Sequence, residues 1–581
     1  MLNILELKKN AKLILSGAPT IKMALLGDTA TQLLATAIRG MGVDRGYNID
    51  LFEAEYNQVE HQTLDPTSDL YKFDAEFIVI FQSTHKLVDF HAKLSAEQQT
   101  SLADIRLNFL STVCSNSIIK TKKIIYFNYP EIGDTIFGNY SNKVSSSLTY
   151  QVRKLNYELM NLSQQFPNLY ICDLAELQNK IGRDVMFAPN IYTTTELVIS
   201  NNALPFAASR LMDIVCAIKG QIKKCLILDL DNTLWGGVIG DDGIEGVKLG
   251  HDLGIGRAFT EFQTWVKKLK QRGIIICIAS KNDEKIAKDV FNKHPDMVLK
   301  LEDIAVFQAN WDTKVDNIRT IQSILNIGFD SMVFLDDNPF ERAMVRENIQ
   351  GITVPELPED PAEYLEYLYS LNLFETASFS TLDNDRTKQY QVEAQRVSLS
   401  KTFTNEADFL RSLNMVSSVS GFSKFNIPRI AQLSQRSNQF NLRTVRYTES
   451  DIENLAEDNN VVGLCFTLED KFGDNGLVSV IIMKKLDNET LFVDTWIMSC
   501  RVLKRGMEYF VLNMMVEYAK AGGFKKIIGE YLPTHKNQIV ADHYLRIGFN
   551  KVKGCINKFE LNIENYIPKE SMIQVRSNDT F

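Results

Sequence analysis

Short apolar runs alternate with longer segments of helical spacing through the first two thirds of the chain. Residues 22–26, 77–81, 123–127 and 168–172 each hold a compact apolar run with polar flanks, which predicts buried strands with helices between them. That alternation implies a parallel sheet covered by helices. It ends in a predicted helix over 205–219, where Ala207, Leu211, Ile214, Val215 and Ile218 recur at helical spacing. A second alternating block starts at Lys223, with strands over 225–228, 274–279 and 331–335. Residues 383–396 are charged and Gln-rich without Gly or Pro, and read as a connecting helix. Beyond them, strands over 461–468, 477–484, 491–498 and 526–530 accompany a long helix over 506–521. The pattern predicts an α/β chain of three domains over 1–220, 221–370 and 403–581, with a helical connector over 371–402.

Composition narrows the function classes. A chain of 581 residues accommodates about three to five domains. With 45% hydrophobic and 23% charged residues it can bury sizeable cores, which excludes a disordered tail, a fibre or a solenoid. The 63 Lys and Arg against 72 Asp and Glu give a net charge of −9, without the global basic footprint of a nucleic-acid binder. Eight scattered cysteines, with no Cys-x-x-Cys pair, predict reduced thiols rather than disulfides or zinc. Residues 1–17 mix Glu6, Lys8, Lys9 and Lys12 into their apolar positions, and no later stretch approaches 18 apolar residues. A soluble, cytoplasmic protein with no membrane partner is expected.

The chemistry concentrates in the central block. The strand over 225–228 delivers Asp229 and Asp231 to its carboxyl end, where open α/β sheets build their sites. Two carboxylates so close repel unless a cation or a shared proton separates them. An all-oxygen donor set favours magnesium over zinc. A second acidic pair, Asp336 and Asp337, closes the strand over 332–335 and can converge on the same ion. Ser280 follows the strand over 274–279, and Lys314 can present an ammonium to a phosphoryl group. Only about 40 residues separate Thr233 from Ile274, too few for a large cap. Residues 235–249, rich in glycine, read instead as a flap with a turn at its tip over an open site.

The ordered set Asp229-x-Asp231-x-Thr233, Ser280, Lys314, Asp336-Asp337 resembles the haloacid dehalogenase superfamily of aspartate-based phosphotransferases over about 221–360. The resemblance implies Asp229 as the nucleophile, Asp231 as general acid and base, Ser280 as a ligand of a phosphoryl oxygen and Lys314 as the steadying cation. It implies a magnesium site drawn from Asp229, Asp231, Asp336 and Asp337. Thr233, Trp235, Gly236, Gly237, Asn282 and Asn338 would line the substrate and flap side.

Longer stretches are more specific: Asp229-Leu-Asp-Asn-Thr-Leu-Trp-Gly-Gly-Val-Ile-Gly240, Ser280-Lys-Asn-Asp283, Phe334-Leu-Asp-Asp-Asn-Pro339, Asn438-Gln-Phe-Asn-Leu442, Phe472-Gly-Asp-Asn-Gly-Leu477 and Ser499-Cys-Arg-Val-Leu503. From about residue 200 onward they closely resemble the FkbH-like family. That resemblance implies a reaction in which 1,3-bisphosphoglycerate loses phosphate and its glyceryl group passes, through an enzyme cysteine, to the phosphopantetheine thiol of an acyl carrier protein in a biosynthetic pathway. Other members lie in surface-polysaccharide gene sets. Family members read Cys-Ser-Lys-Asn where this chain has Ala279-Ser280-Lys281-Asn282. Cys277 shares a strand face with Ala279 but lies roughly 6.6 Å further back, and Cys500 is the other candidate for an acyl-carrying thiol.

Residues 403–565 resemble the GNAT acyltransferase fold, which implies coenzyme A or phosphopantetheine near Arg501, Lys504, Arg505 and Gly506. Asn537 and Tyr544 match its later elements, Tyr544 as a general acid, and Lys504 stands where the pattern has glycine. Docking of a pantetheine arm or carrier is expected over independent acetylation. Gly27-Asp28-Thr29 resembles the Gly-Asp-Ser opening of SGNH hydrolases, with threonine for serine and no later Asp-x-x-His, so a non-catalytic N-terminal domain is expected. His85 and His91 read as structural.

The expectation is thus a magnesium-dependent phosphatase and acyltransferase that takes a phosphorylated small-molecule donor to a carrier-protein or pantetheine thiol. Its alternatives are a phosphatase or phosphotransferase that forms no thioester, and a non-catalytic factor that presents carriers.

Overall fold

Five strands of the first unit, which ends at Cys216, pair in parallel as β1 (Thr20–Gly27), β2 (Asn48–Glu53), β3 (Phe77–Phe81), β4 (Lys123–Phe127) and β5 (Leu169–Cys172), in the order β2-β1-β3-β4-β5. The protein is seen here as a computed structural model that describes residues 2–252, 254–379, 386–400, 402–534 and 536–576. β3 is buried at every position, as a central parallel strand must be. β2 escaped the sequence reading because it is an edge strand with a single buried residue, Leu51, so it carries no continuous apolar run.

The second unit, from Ala217, opens with a four-stranded parallel sheet. Its strands are β6 (Cys225–Leu228), β7 (Ile275–Ser280), β8 (Val306–Ala309) and β9 (Met332–Leu335), in the order β8-β7-β6-β9. Alternation along β6 sends Leu226 and Leu228 into one core layer, and Cys225 and Ile227 into another. The second layer is covered by helix Lys314–Leu325, whose Val315, Ile318, Ile321 and Leu325 all join it. This helix therefore starts beside the carboxyl ends of the strands.

The C-terminal part builds a mixed nine-stranded sheet from β10 (Met415–Ser417), β11 (Val419–Ser420), β12 (Val461–Asp470), β13 (Gly473–Lys485), β14 (Thr490–Met498), β15 (Lys526–Glu530), β16 (Asn550–Lys551), β17 (Lys558–Asn562) and β18 (Ile573–Val575). Strands β12, β13 and β14 are antiparallel, whereas β14 and β15 run parallel over only 490–493 and 526–529. Past that point the two strands part, and the chain's own backbone fills the gap. Met498 N donates to Phe440 O at 3.1 Å, Leu442 N to Trp496 O at 3.3 Å, and Leu532 N to Leu442 O at 2.9 Å.

The connecting helix spans Arg386–Ser400, and the expected start at Asp383 lies outside the described residues. It is tied to the C-terminal sheet by buried charge. Asp470 meets Arg396 at 2.9 Å and Arg505 at 3.1 Å, and Glu393 pairs with both arginines. The eight cysteines are free thiols. No described helix is long and apolar enough to cross a membrane.

Removing one partner from such a network strands buried guanidiniums. Asp470→Ala is expected to destabilise the C-terminal part by about 3–5 kcal/mol, read as a fall in the denaturant midpoint of the full chain. Asp408→Ala, which breaks only the exposed pair with Arg411, should move it by less than about 1 kcal/mol.

Candidate active site

Strand register sets the first contact of the site. Leu228 on β6 pairs with Leu335 on β9, so Asp229 and Asp336 leave the sheet side by side, and Asp229 N donates to Leu335 O at 3.0 Å. Thr313 caps helix Lys314–Leu325 with its side chain and fixes Lys314 at the first helical position. The Lys314 ammonium hydrogen-bonds Asp229 Oδ1, donates to Ala279 O at 2.9 Å and lies 3.1 Å from Asp336 Oδ2. Lys314 is 3% exposed and Asp336 fully buried.

Electrostatics leaves this cluster short of positive charge. One oxygen each from Asp229, Asp336 and Asp337 lies within 4.8 Å of the others, so three carboxylates face a single ammonium. Burial, reinforced by the Asp229 charge, raises Asp336 to about 7, and the same two causes raise Asp337. Burial works against the Lys314 charge, but Asp229 and Asp336 outweigh it and hold that pKa above its ordinary value. Apart from its ion pair with Lys314, Asp336 Oδ2 has no hydrogen-bond donor among the described residues. A hard divalent cation fits this all-oxygen set.

Asp231 belongs elsewhere, which corrects its sequence-based placement in the metal set. Its carboxylate accepts from Trp235 Nε1 at 2.9 Å, from Ile239 N at 3.2 Å and from Asn282 Nδ2 at 3.0 Å, so its side chain is committed to the flap and to β7's loop. Asn282 also reaches Ser280 Oγ at 3.1 Å, which aligns that hydroxyl. Thr233 Oγ1 accepts from Asp337 N at 2.9 Å. Asn338 donates its N–H to Asp336 Oδ1 at 2.9 Å while its side chain caps helix Pro339–Asn348.

The flap is not a simple hairpin. Gly236 and Lys248 exchange two backbone hydrogen bonds, and between them the chain runs through helix Ile239–Gly246 with a break at Gly243 (φ 66). Trp235 is buried in the domain core rather than exposed at a mobile edge. Gly237 has φ 95, and a Cβ there would meet Asp242 Oδ2 at 2.8 Å, so glycine is needed for the tight turn.

The other expected residues do not converge on this pocket. Cys277 is fully buried in mid-sheet, its Sγ 3.8 Å from that of Cys225. Cys500 hydrogen-bonds through its carbonyl with Asn326, near Lys224 at the amino ends of the strands. Lys224 precedes Asp229 by five residues, roughly 16 Å of strand. Arg501 is turned onto Gln389 and Asn475 O, and Arg505 onto Asp470 and Glu393. Lys504 holds φ 65, the left-handed conformation its missing glycine would favour, and Gly506 follows at φ 73. Asn537 is buried and binds Asn441 O at 2.9 Å. Tyr544, expected as a general acid, is sealed in the core on Phe559, its phenol pushed well up by burial. Beside them, segment 440–442 occupies the gap between β14 and β15.

In the first unit Asp28 accepts from Ser83 N at 2.9 Å and is raised to about 6, chiefly by burial. The His85 ring packs on Phe187 and Tyr192. His91 Nε2 lies 2.7 Å from Ser146 O.

Sequence reasoning missed Arg342, which is 5% exposed and donates to Asp336 O at 2.8 Å and Asp337 O at 2.7 Å, clamping the acidic pair from behind. Its position three residues into the helix after Pro339 was the available signal.

Comparison with known proteins bears on the whole arrangement. Residues 22–216 match the family model described as FkbH, N-terminal domain. The N-terminal part of the protein BF1531 from Bacteroides fragilis, containing a phosphatase domain and complexed with Mg, is 62% identical, with all of that chain and 65% of this one covered at a TM-score of 0.64. The ribosomal-protein-S18-alanine N-acetyltransferase from Escherichia coli matches at 13% identity and a TM-score of 0.20, over 26% of this chain and 99% of that one. A spermidine N-acetyltransferase from Vibrio cholerae, in complex with CoA and spermine, matches at 12% identity and 0.21, over 25% and 95%. No curated protein sequence matches the chain. A relative this similar along its full length makes the chain an enzyme with a phosphatase domain. The chain belongs to the FkbH-like family.

A cation in this cluster requires Asp336 to give up its proton, and because the folded form holds that proton more tightly, Asp336 contributes stability to the metal-free protein that is lost as pH rises from 3.8 to about 7. Mg2+ is therefore expected to raise the thermal midpoint of the chelator-treated chain more at pH 8 than at pH 6. Asp336→Asn should abolish the increment in the same scans.

Proposed function

We propose that the chain is a magnesium-dependent phosphotransfer enzyme that works through an aspartyl phosphate on Asp229. The observation that carries this is the Lys314 ammonium shared between Asp229 and Asp336 beside a third carboxylate. Asp229, Asp336 and Asp337 would hold the ion, which supplies charge neutralisation to the transferring phosphoryl group. Asp229 attacks phosphorus while the bond to the leaving oxygen breaks, and Lys314 keeps the attacking carboxylate ionised and in place. Asp231, oriented by Trp235 and Asn282, gives its proton to the leaving oxygen and later takes one from the water that opens the acyl phosphate. Ser280 and Asn282 offer donors to the phosphoryl oxygens.

The substrate reading follows from family membership and the small flap. A donor of the phosphoglyceryl type, such as 1,3-bisphosphoglycerate, enters beside the flap over 236–248 and gives its ester phosphate to Asp229, while the thiol of a pantetheine arm or acyl carrier protein attacks its acyl carbon and expels the acyl phosphate as inorganic phosphate. A second reading, dephosphorylation or phosphotransfer without an enzyme thioester, is favoured by Ala279 and by the burial of Cys277 at the Asp229 face.

Asp229→Asn is expected to lower Mg-dependent phosphate release at least about 1,000-fold; unchanged release removes Asp229 as nucleophile, and chelation should stop turnover of a generic phosphate ester by the native chain. Intact-protein mass after brief exposure to 1,3-bisphosphoglycerate separates the two readings. A glyceryl adduct that maps to a cysteine establishes the thioester route, whereas phosphate release with no such adduct establishes the second.

A further inference from the structure

The floor of the Asp229 pocket is charged, whereas three of the loops around it expose large apolar side chains. Val238 follows β6 and is 39% exposed, Trp311 follows β8 and is 77% exposed, and Phe340 follows β9 and is 64% exposed. The backbone beside each is tied to the site. Asn310 N, next to Trp311, donates to Ser280 O at 3.2 Å, and Lys314 stands three residues beyond that tryptophan. Phe340 N donates to Asn338 Oδ1 at 2.9 Å, and Asn338 N in turn to Asp336 Oδ1 at 2.9 Å. Ile239 N, next to Val238, donates to Asp231 Oδ1 at 3.2 Å.

These loops are held in place. Asn310 and Asn317 exchange side-chain hydrogen bonds at 3.0 and 2.9 Å, and Thr313 caps the helix that follows Trp311. Lys281 Nζ lies 2.6 Å from Glu341 Oε1, which fastens the helix carrying Phe340 to the loop after β7. A fixed backbone thus holds an indole and a phenyl ring out to water, and neither joins the core layers beneath. Exposed apolar residues scattered singly are ordinary, but several around one opening mark a contact surface. Beyond the phosphoryl group itself, the rim offers ring faces and methyl groups with a single donor, the Trp311 indole N–H. Such a surface suits carbon rather than hydroxyl or carboxylate.

We propose that Trp311 and Phe340 are specificity-determining contacts of the phosphotransfer site, which select phosphate monoesters with an aromatic or alkyl body beyond the bridging oxygen. This inference rests on phosphotransfer at Asp229 and adds a substrate class to the glyceryl donor, whose polar substituents leave the rings without an apolar partner. The chemistry is that already given: Asp229 takes the phosphoryl group, the alcohol leaves with the proton of Asp231, and water releases inorganic phosphate from the aspartyl phosphate.

Ethyl phosphate and 2-phenylethyl phosphate release alcohols of similar basicity, so they differ chiefly in the body offered to the rim. With the full chain and Mg2+, KM for the phenylethyl ester should be about ten-fold the lower, with kcat alike. Trp311→Ala and Phe340→Ala should each bring the two KM values within about three-fold of one another. Phe425→Ala, which removes a ring that is 93% exposed in the C-terminal part, should keep the preference. Equal KM values in the native chain, or a preference that either rim substitution leaves intact, would overturn the proposal. Turnover of neither ester would instead count against phosphotransfer at Asp229, and binding then decides for the rim. Of the four tryptophans, Trp235 and Trp496 are buried and Trp265 half-buried, so quenching of the emission by acrylamide reports chiefly Trp311. 2-Phenylethylphosphonate should shield that emission and ethylphosphonate should not; shielding by neither, or equal shielding by both, overturns the proposal.

Discussion

A buried ammonium held between two aspartates is the interaction on which the rest of the central domain depends. Lys314 is almost without solvent, so its charge survives only because Asp229 and Asp336 face it. Those aspartates in turn repel one another unless positive charge sits between them. Neither group is stable there alone, and each fixes the position of the other. The fold meets that demand with backbone geometry: strand register brings the carboxylates together, and a capped helix start delivers the lysine. One ammonium cannot balance three carboxylates, which is the physical reason a divalent cation would fit the cluster.

The same logic explains how Asp231 differs from its neighbour two residues earlier. Asp229 faces Lys314, while Asp231 receives an indole N–H, an amide N–H and a side-chain amide from the flap base and from Asn282. Two carboxylates of one strand end thus sit in different surroundings, the condition that lets such a pair divide its tasks. The flap links them: Trp235 is anchored in the core, so the segment that covers the site also orients the proposed acid and base.

Much of this was legible in the sequence, for reasons specific to its elements. β3, β4 and β6 match their predicted spans because central parallel strands are continuous apolar runs, and Asp229, Lys314 and Asp336 stood out because charged residues immediately after or between such runs are unusual. β2 and β8 were not legible, since edge strands carry polar positions. Nor was the direction of the Asp231 side chain, or the clamp by Arg342, because both are settled by contacts across 51 residues in one case and by a helix turn in the other. The flap was legible from its glycines, but the helix inside it was not, because glycines signal turns equally well whether a helix lies between them or not.

The C-terminal part shows how a motif can persist while its chemistry changes. Basic residues follow β14 as the sequence suggested, yet Arg505 and Arg501 are bound to the connecting helix and to internal carbonyls. The gap between β14 and β15 is closed by Phe440 and Leu442, whose backbone satisfies the strand edges that a ligand would otherwise pair with. An arginine network that holds a helix in place and a cleft filled by the chain's own backbone both rigidify the structure.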